Sequence, residues 1–127
     1  MIFKSNKQKV ETLSRNLKKS FKESNIDCNI AIVNNYQCIQ VTNNDELFFW
    51  IRLSADKDGM LVVDFNNVVL PEECRGKHIF SLIVSRVLRC KYVSRVKITS
   101  ICTERMKNWC ELHKMIKCGY NDYYLDA

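Results

Sequence analysis

The stretch Met60–Ile83, MLVVDFNNVVLPEECRGKHIFSLI, decides the fold of this 127-residue chain. Its apolar, β-branched first half predicts a strand, Pro71 ends that strand, and the basic segment Arg75–Lys77 leads into an amphipathic helix. A helix begins with four unpaired N–H groups and the positive end of its dipole, and together these attract anions. A strand, a basic loop and a helix in this order are typical of nucleotide- and coenzyme-binding domains.

The flanking segments predict a single domain over residues 1–127. A basic amphipathic helix at 4–23 precedes a hairpin around Asn34-Asn35, a third strand at 46–53 and the strand at 60–70. The later elements are a helix at 77–91, a strand at 93–101, a helix at 103–118 that Gly119 closes, and a strand at 122–125. A strand–helix–strand unit implies a crossover between parallel strands. We therefore expect an α+β fold of three-layer type, with a mostly antiparallel central sheet, one parallel crossover and flanking helices.

The composition favours a compact chain, since 46% of the residues are hydrophobic and only one is proline. No apolar run approaches the roughly 18–20 residues of a transmembrane helix, and no signal-peptide pattern opens the chain, so we expect a cytoplasmic protein without membrane contact. The seven cysteines form no Cys-x-x-Cys pair and the two histidines are far apart, so no metal site is predicted. A small, cysteine-tolerant chain of this kind suits a viral or mobile-element protein.

The positive charge is concentrated at the N-terminus. Residues 1–22 carry one glutamate and seven basic residues, a net charge of +6 that equals the formal charge of the whole chain. The basic residues are Lys4, Lys7, Lys9, Arg15, Lys18, Lys19 and Lys22. They surround an apolar stripe at helical spacing, formed by Val10, Leu13, Leu17 and Phe21. Two interpretations stay open, a solvated helix face or a surface for nucleic acid or an acidic protein partner.

The loop before the second helix resembles the acetyl-CoA-binding segment of the GNAT superfamily of N-acetyltransferases. In that family a strand ends in a Pro-containing turn, followed by Arg or Gln, two residues, Gly, one residue, and Gly or Ala. The matching residues here are Pro71, Glu72, Arg75, Gly76, Lys77 and Ile79. The two positions that are usually small are His78 and Phe80. A glycine there lets the backbone approach a pyrophosphate, so Phe80 is compatible with this role only if its ring points into the core.

This resemblance implies an acetyl-CoA-dependent N-acetyltransferase that acts on an amine of a protein lysine or a small molecule. The cofactor-binding positions that it implies are Val69, Leu70, Arg75, Gly76, Lys77, His78, Ile79, Phe80, Thr103 and Trp109. It also implies a homodimer formed through the C-terminal strand at 123–125. The alternative function is a catalytically inactive GNAT-like protein that binds nucleic acid or an acidic partner with its basic N-terminal helix.

Acetyl transfer to an amine needs a general base for the amine and a general acid for the leaving thiolate. The family's acid is often a tyrosine on the last helix, four residues before a Gly-Tyr or Gly-Phe pair. Gly119-Tyr120 resembles that pair, but Met115 stands at the tyrosine position. The candidates for the acid are therefore His113, which can titrate near neutrality, and Tyr120, with Tyr123 and Tyr124 as alternatives. Asp64 is the candidate base if it faces inward, where burial would raise its pKa, and the sequence alternation leaves its orientation open.

Overall fold

The structure is a computed structural model that describes residues 2–43, 46–68 and 79–127, with only the backbone described for residues 2–5 and 46. Three helices and seven strands make up these segments. In chain order they are α1 (Ile2–Glu23), β1 (Asn29–Val33), β2 (Cys38–Asn43), β3 (Glu46–Ala55), β4 (Leu61–Asn66), α2 (Ile79–Arg89), β5 (Val93–Thr99), α3 (Glu104–Leu112), β6 (Ile116–Gly119) and β7 (Asp122–Asp126).

All seven strands belong to one sheet, in the order β1-β2-β3-β4-β5-β7-β6. The pair β4–β5 is parallel, and α2 connects its two strands. Every other neighbouring pair in the sheet is antiparallel. This arrangement confirms the predicted α+β fold class, a mostly antiparallel sheet with one parallel crossover.

The apolar stripe of α1 is buried as the helical spacing predicts. Val10, Leu13, Leu17 and Phe21 are each at most 2% exposed. Burying side chains of this size contributes roughly 1.5–3 kcal/mol each before entropy is counted, so the stripe fixes α1 on the sheet. Among the described residues, no helix is both long enough and apolar enough to cross a membrane.

The three helices pack on the same face of the sheet. Phe49 of β3 contacts Phe21 of α1 and Phe80 of α2, with ring centroids 6.4 and 6.3 Å apart. On the same face, by the register from β3 to β7, the hydroxyl of Tyr123 donates a hydrogen bond of 3.0 Å to Glu111 of α3. The core therefore lies between this face and the helices, and a polar side chain on the opposite face lies outside it.

The predicted hairpin between β1 and β2 is confirmed, but its turn is longer than a two-residue loop. Asn34, Asn35 and Tyr36 all have positive φ, at 53°, 54° and 67°. Asparagine adopts this left-handed conformation more readily than most residues, which explains two of the three positions. The second strand consequently begins at Cys38.

The prediction of a helix over residues 103–118 is wrong beyond Leu112. His113 is the C-cap of α3, and Lys114 turns the chain with a φ of 59°. The following residues, Ile116–Gly119, form β6 and pair with β7. Gly119 ends a strand and does not close a helix, because strand pairing outweighs the helical spacing of the apolar residues in this segment.

Candidate active site

The parallel strands β4 and β5 end side by side and their chains then diverge. Asn66 and Thr99 are the last paired residues, and the amide of Asn67 donates to the carbonyl of Thr99 at 3.1 Å. Asn67 and Ser100 both have positive φ, 52° and 55°. Non-glycine residues in this conformation often occur at functional sites, and ligands of open α/β sheets bind outside the carboxyl ends of parallel strands. This end of the sheet is therefore the first candidate site.

A buried polar network fixes the side chains at this end. Asn66 is 7% exposed and its amide nitrogen donates to the hydroxyls of Thr99 and Ser100, at 3.0 and 3.2 Å. Its amide oxygen accepts a hydrogen bond of 3.1 Å from the indole of Trp50. Three neighbouring strands are joined by one side chain, so its position is well determined. Asn66 was not predicted as a site residue from the sequence.

Asp64 belongs to the same network but does not face the core. Its neighbours Val63 and Phe65 are fully buried under the helices, so alternation directs Asp64 to the opposite face. One carboxylate oxygen accepts a 2.6 Å hydrogen bond from the hydroxyl of Thr99, and the other lies 3.8 Å from Nε of Arg52. The inward orientation considered for Asp64 is therefore wrong, and the carboxylate is held by a hydroxyl and a guanidinium.

A cleft of about 330 Å³ between α2 and the C-terminal elements is a second candidate site, and no residue of the β4–β5 end described above lines it. Its apolar wall is formed by Val84, Leu88, Met115 and Leu125. Its polar lining includes Ser81, Ser85, Arg89, His113 and Asp126, together with the indole of Trp109. An apolar wall with a few polar groups is the usual lining of a small-molecule site.

His113 is held at this cleft by three contacts. Its ring stacks on Trp109 with centroids 4.0 Å apart, and its Nδ1 lies 2.8 Å from the carbonyl oxygen of Trp109. Its Nε2 lies 3.2 Å from the hydroxyl of Ser81, and that hydroxyl accepts a 3.0 Å hydrogen bond from the indole of Trp109. A carbonyl only accepts, so Nδ1 donates its proton there. Nε2 of the neutral ring then accepts from Ser81.

The similarity of this chain to known proteins is a similarity of fold and not of sequence. No protein-family model matches the sequence, and no curated protein matches it significantly. Among solved structures, YhhK of E. coli, a proposed N-acetyltransferase bound to coenzyme A, superposes with a TM-score of 0.50 at 13% identity, covering 90% of this chain and 88% of YhhK. The chain has the GNAT fold. At this identity the likeness shows the fold alone.

Two further GNAT-like structures match less well. An acetyltransferase of the GNAT family from Bacillus cereus has a TM-score of 0.45 at 13% identity, covering 75% of this chain and 73% of that one. An acetyltransferase from Thermus thermophilus has a TM-score of 0.48 at 10% identity, covering 71% of this chain. This chain spans 63% of the length of the Thermus protein.

In this GNAT fold, Phe80 is a core residue. It is 3% exposed, and its ring lies 5.4 Å from that of Phe65 and 4.8 Å from that of Trp109. Ile79, the first residue of α2, is likewise 3% exposed. Phe80 therefore fills the space between the sheet and the helices. This inward orientation is the one under which a large residue is compatible with a coenzyme-binding loop.

The remaining sequence-selected residues divide into two groups. Thr103, selected as a cofactor-binding position, is the N-cap of α3, and its hydroxyl accepts a 3.1 Å hydrogen bond from the amide of Met106. Tyr120 is 89% exposed on the turn between β6 and β7. Outside the described residues lie Val69, Leu70, Arg75, Gly76, Lys77 and His78. Ser81 was not predicted as a site residue, because only the packing of α2 against α3 brings it to Trp109 and His113.

Proposed function

We propose that this protein is an acetyl-CoA-dependent N-acetyltransferase. The observation that carries the proposal is the parallel β4–β5 pair of a GNAT fold, whose carboxyl ends diverge after Asn66 and Thr99. YhhK, which has the same fold, is a proposed N-acetyltransferase with coenzyme A bound. A buried, hydrogen-bonded sheet end, followed in the sequence by the basic residues Arg75 and Lys77, suits a long anionic coenzyme.

The coenzyme's diphosphate would lie at the loop before α2. Arg75, Gly76, Lys77 and His78 directly precede Ile79, with which the described part of α2 begins. Two cationic side chains and the backbone amides of a helix start would supply the positive potential. Val69 and Leu70 continue the chain from β4, and their main-chain groups would hold the pantetheine arm and polarise the thioester carbonyl.

The proton transfers are assigned to His113, with Ser81 as the residue that positions it. Nε2 of His113 accepts from Ser81, so the neutral ring is a base whose orientation is fixed by the indole of Trp109. In acetyl transfer such a base takes a proton from the attacking amine, directly or through the serine hydroxyl, and a protonated group returns one to the thiolate of coenzyme A. Tyr120 on its exposed turn is the second candidate acid.

Calorimetry of the reduced protein with acetyl-CoA tests the proposal first. We expect micromolar affinity for acetyl-CoA and desulfo-CoA and much weaker binding of ATP, because the pantetheine arm adds contacts that a nucleotide lacks. No binding at millimolar acetyl-CoA would overturn the proposal. If acetyl-CoA binds, chromatographic detection of free coenzyme A with a panel of amines, including peptide N-termini, identifies the acceptor.

The role of His113 is tested with the acceptor so identified. His113→Gln should lower kcat while leaving acetyl-CoA affinity unchanged, because the base acts in the chemical step and not in binding the coenzyme. Tyr92→Phe is the matched control, since it removes a titratable hydroxyl from a residue that does not line the cleft of His113. An unchanged kcat in His113→Gln would exclude His113 as the base.

A further inference from the structure

Part of the positive charge of α1 has no role inside the fold. Arg15, Lys18, Lys19 and Lys22 are all exposed and follow one another at helical spacing on the side opposite to the buried stripe. Lys18, Lys19 and Lys22 make no hydrogen bond or ion pair with any residue that the structure describes. Arg15 contacts only the hydroxyl of Thr12, at 3.2 Å, within that same part of the chain.

Two other lysines of α1, in contrast, contact neighbouring parts of the fold. Nζ of Lys9 donates a 2.6 Å hydrogen bond to the carbonyl of Gly59 and lies over the ring of Tyr92. Nζ of Lys7 lies 5.3 Å from the ring centre of Tyr36. These two lysines attach the helix to neighbouring loops, so the surface predicted from seven basic residues is smaller than the sequence suggested. The side chain of Lys4 is outside the described residues.

The exposed charge continues across a groove onto α2. A groove of about 330 Å³ between the two helices is lined by Asn16, Lys19, Glu23, Arg86, Arg89 and Cys90. Glu23 pairs with Arg86, so these two charges cancel. Lys19 and Arg89 then face the groove without a second carboxylate in its lining. We call the set Arg15, Lys18, Lys19, Lys22 and Arg89 the basic face.

We infer that the basic face binds the phosphate backbone of double-stranded nucleic acid without reading its base sequence. Five exposed cations, none in an ion pair with a described residue, give this surface a positive potential that attracts phosphates. The exposed large apolar residues among those described are Leu47, Leu112, Ile116 and Tyr120, and none lies on α1 or α2. Protein interfaces are centred on apolar and aromatic side chains, which this face lacks. It also lacks the aromatic rings on which single-stranded bases stack.

The salt dependence follows from the number of cations. If each of the five neutralises one phosphate, log Kobs falls with log[salt] at a slope of about −4.5 for a duplex. Between about 50 and 200 mM salt, affinity should then decrease about 500-fold. Replacing Lys18, Lys19 and Lys22 with glutamine leaves two phosphate contacts and a slope of about −1.8. The affinity should then decrease only about 12-fold over the same range of salt concentration. Glutamine and lysine have similar helix propensities, so α1 stays folded in this variant.

Fluorescence anisotropy with a labelled duplex tests the inference. The variant Lys18→Gln/Lys19→Gln/Lys22→Gln is compared with Lys57→Gln/Lys107→Gln/Lys117→Gln, which has the same net charge but loses lysines outside the basic face. We expect the first triple variant to bind weakly with a shallow salt slope and the second to bind like the unmodified protein. DNA and RNA duplexes of one sequence, the single strands and polyglutamate complete the set of ligands.

Several results would overturn the inference. Absence of duplex binding at low salt would do so, as would equal losses in the two triple variants, which would mean that net charge alone attracts the nucleic acid. Tighter binding of single strands than of the duplex would contradict backbone recognition of a double helix. Binding of polyglutamate with equal affinity would favour an acidic protein partner. The experiment uses no coenzyme, so its outcome is independent of the proposed acetyl transfer.

Discussion

Truncating Phe80 to alanine should destabilise the protein strongly. Its ring is 3% exposed and packs edge-on against Phe49 and Phe65, with Trp109 closest at 4.8 Å between centroids. Core Phe→Ala substitutions cost about 3–5 kcal/mol of unfolding free energy. Three aromatic neighbours, each pair contributing about 0.5–1.5 kcal/mol beyond burial, place this site in the upper half of that range. We therefore expect a loss of about 4–5 kcal/mol in Phe80→Ala, and less than about 1.5 kcal/mol in Phe80→Leu, which keeps most of the volume.

Urea unfolding monitored by circular dichroism measures the loss. The midpoint should fall with an unchanged slope, because the surface exposed on unfolding stays nearly the same. Tyr120→Ala is the matched control, an aromatic truncation at a side chain that is 89% exposed, and should change stability by less than about 0.5 kcal/mol. A loss below about 1 kcal/mol in Phe80→Ala, combined with altered acetyl-CoA affinity, would refute the assignment to the core and put Phe80 in the coenzyme site.

Two further predictions concern titratable groups. Burial, and the hydrogen bond to Glu111, raise the pKa of Tyr123. Above pH ~10, the ordinary tyrosine pKa, the unfolded chain therefore loses a proton that the folded protein keeps. Urea midpoints should fall as pH rises through this range, and less steeply in Tyr123→Phe; equal slopes in the two proteins would contradict the burial of Tyr123. Burial also raises the pKa of the Cys110 thiol to about 12 and raises that of Cys38, whereas Cys102 and Cys118 are exposed. Iodoacetamide at about pH 8 should label the exposed pair first, as peptide mass spectrometry can measure, and early labelling of Cys110 would mean that α3 is not packed as described.

Local periodicity predicts much of this fold because each element carries its own signal. The stripe of α1 has a helical period and is buried, and the Asn34-Asn35 pair marks a turn because asparagine tolerates positive φ. The order of strands and helices around Met60–Ile83 was sufficient to predict the single parallel pair. These features depend on residues that are close in the sequence.

The C-terminal region was predicted incorrectly because its apolar residues do not mark a buried helix face. Leu112 is 78% exposed and Ile116 is 51% exposed, although both extend the helical pattern. Pairing with β7 determines the structure of this segment, and that pairing cannot be derived from a local pattern.

The candidate site could not be predicted from local patterns either, because its contacts join distant parts of the chain. Ser81 lies 28 residues from Trp109 and 32 from His113 in the sequence, and these residues meet only once α2 and α3 are packed. The orientation of Asp64 likewise depends on which face of the sheet the helices cover. Only the neighbours Val63 and Phe65, both fully buried, resolve it.

The strand order of the sheet also bears on how the chain folds. From β1 to β5 each strand pairs with the one that precedes it in the sequence, so the sheet can grow by closing short loops, apart from the crossover through α2. The N-terminal helix is different, since Phe21 packs on Phe48 and Phe49, and the latter pairs with Val41 of the second strand. The first element to be synthesised thus acquires its packing surface only after β2 and β3 have formed. Until then, four apolar side chains and the four basic-face residues of the same helix are exposed together.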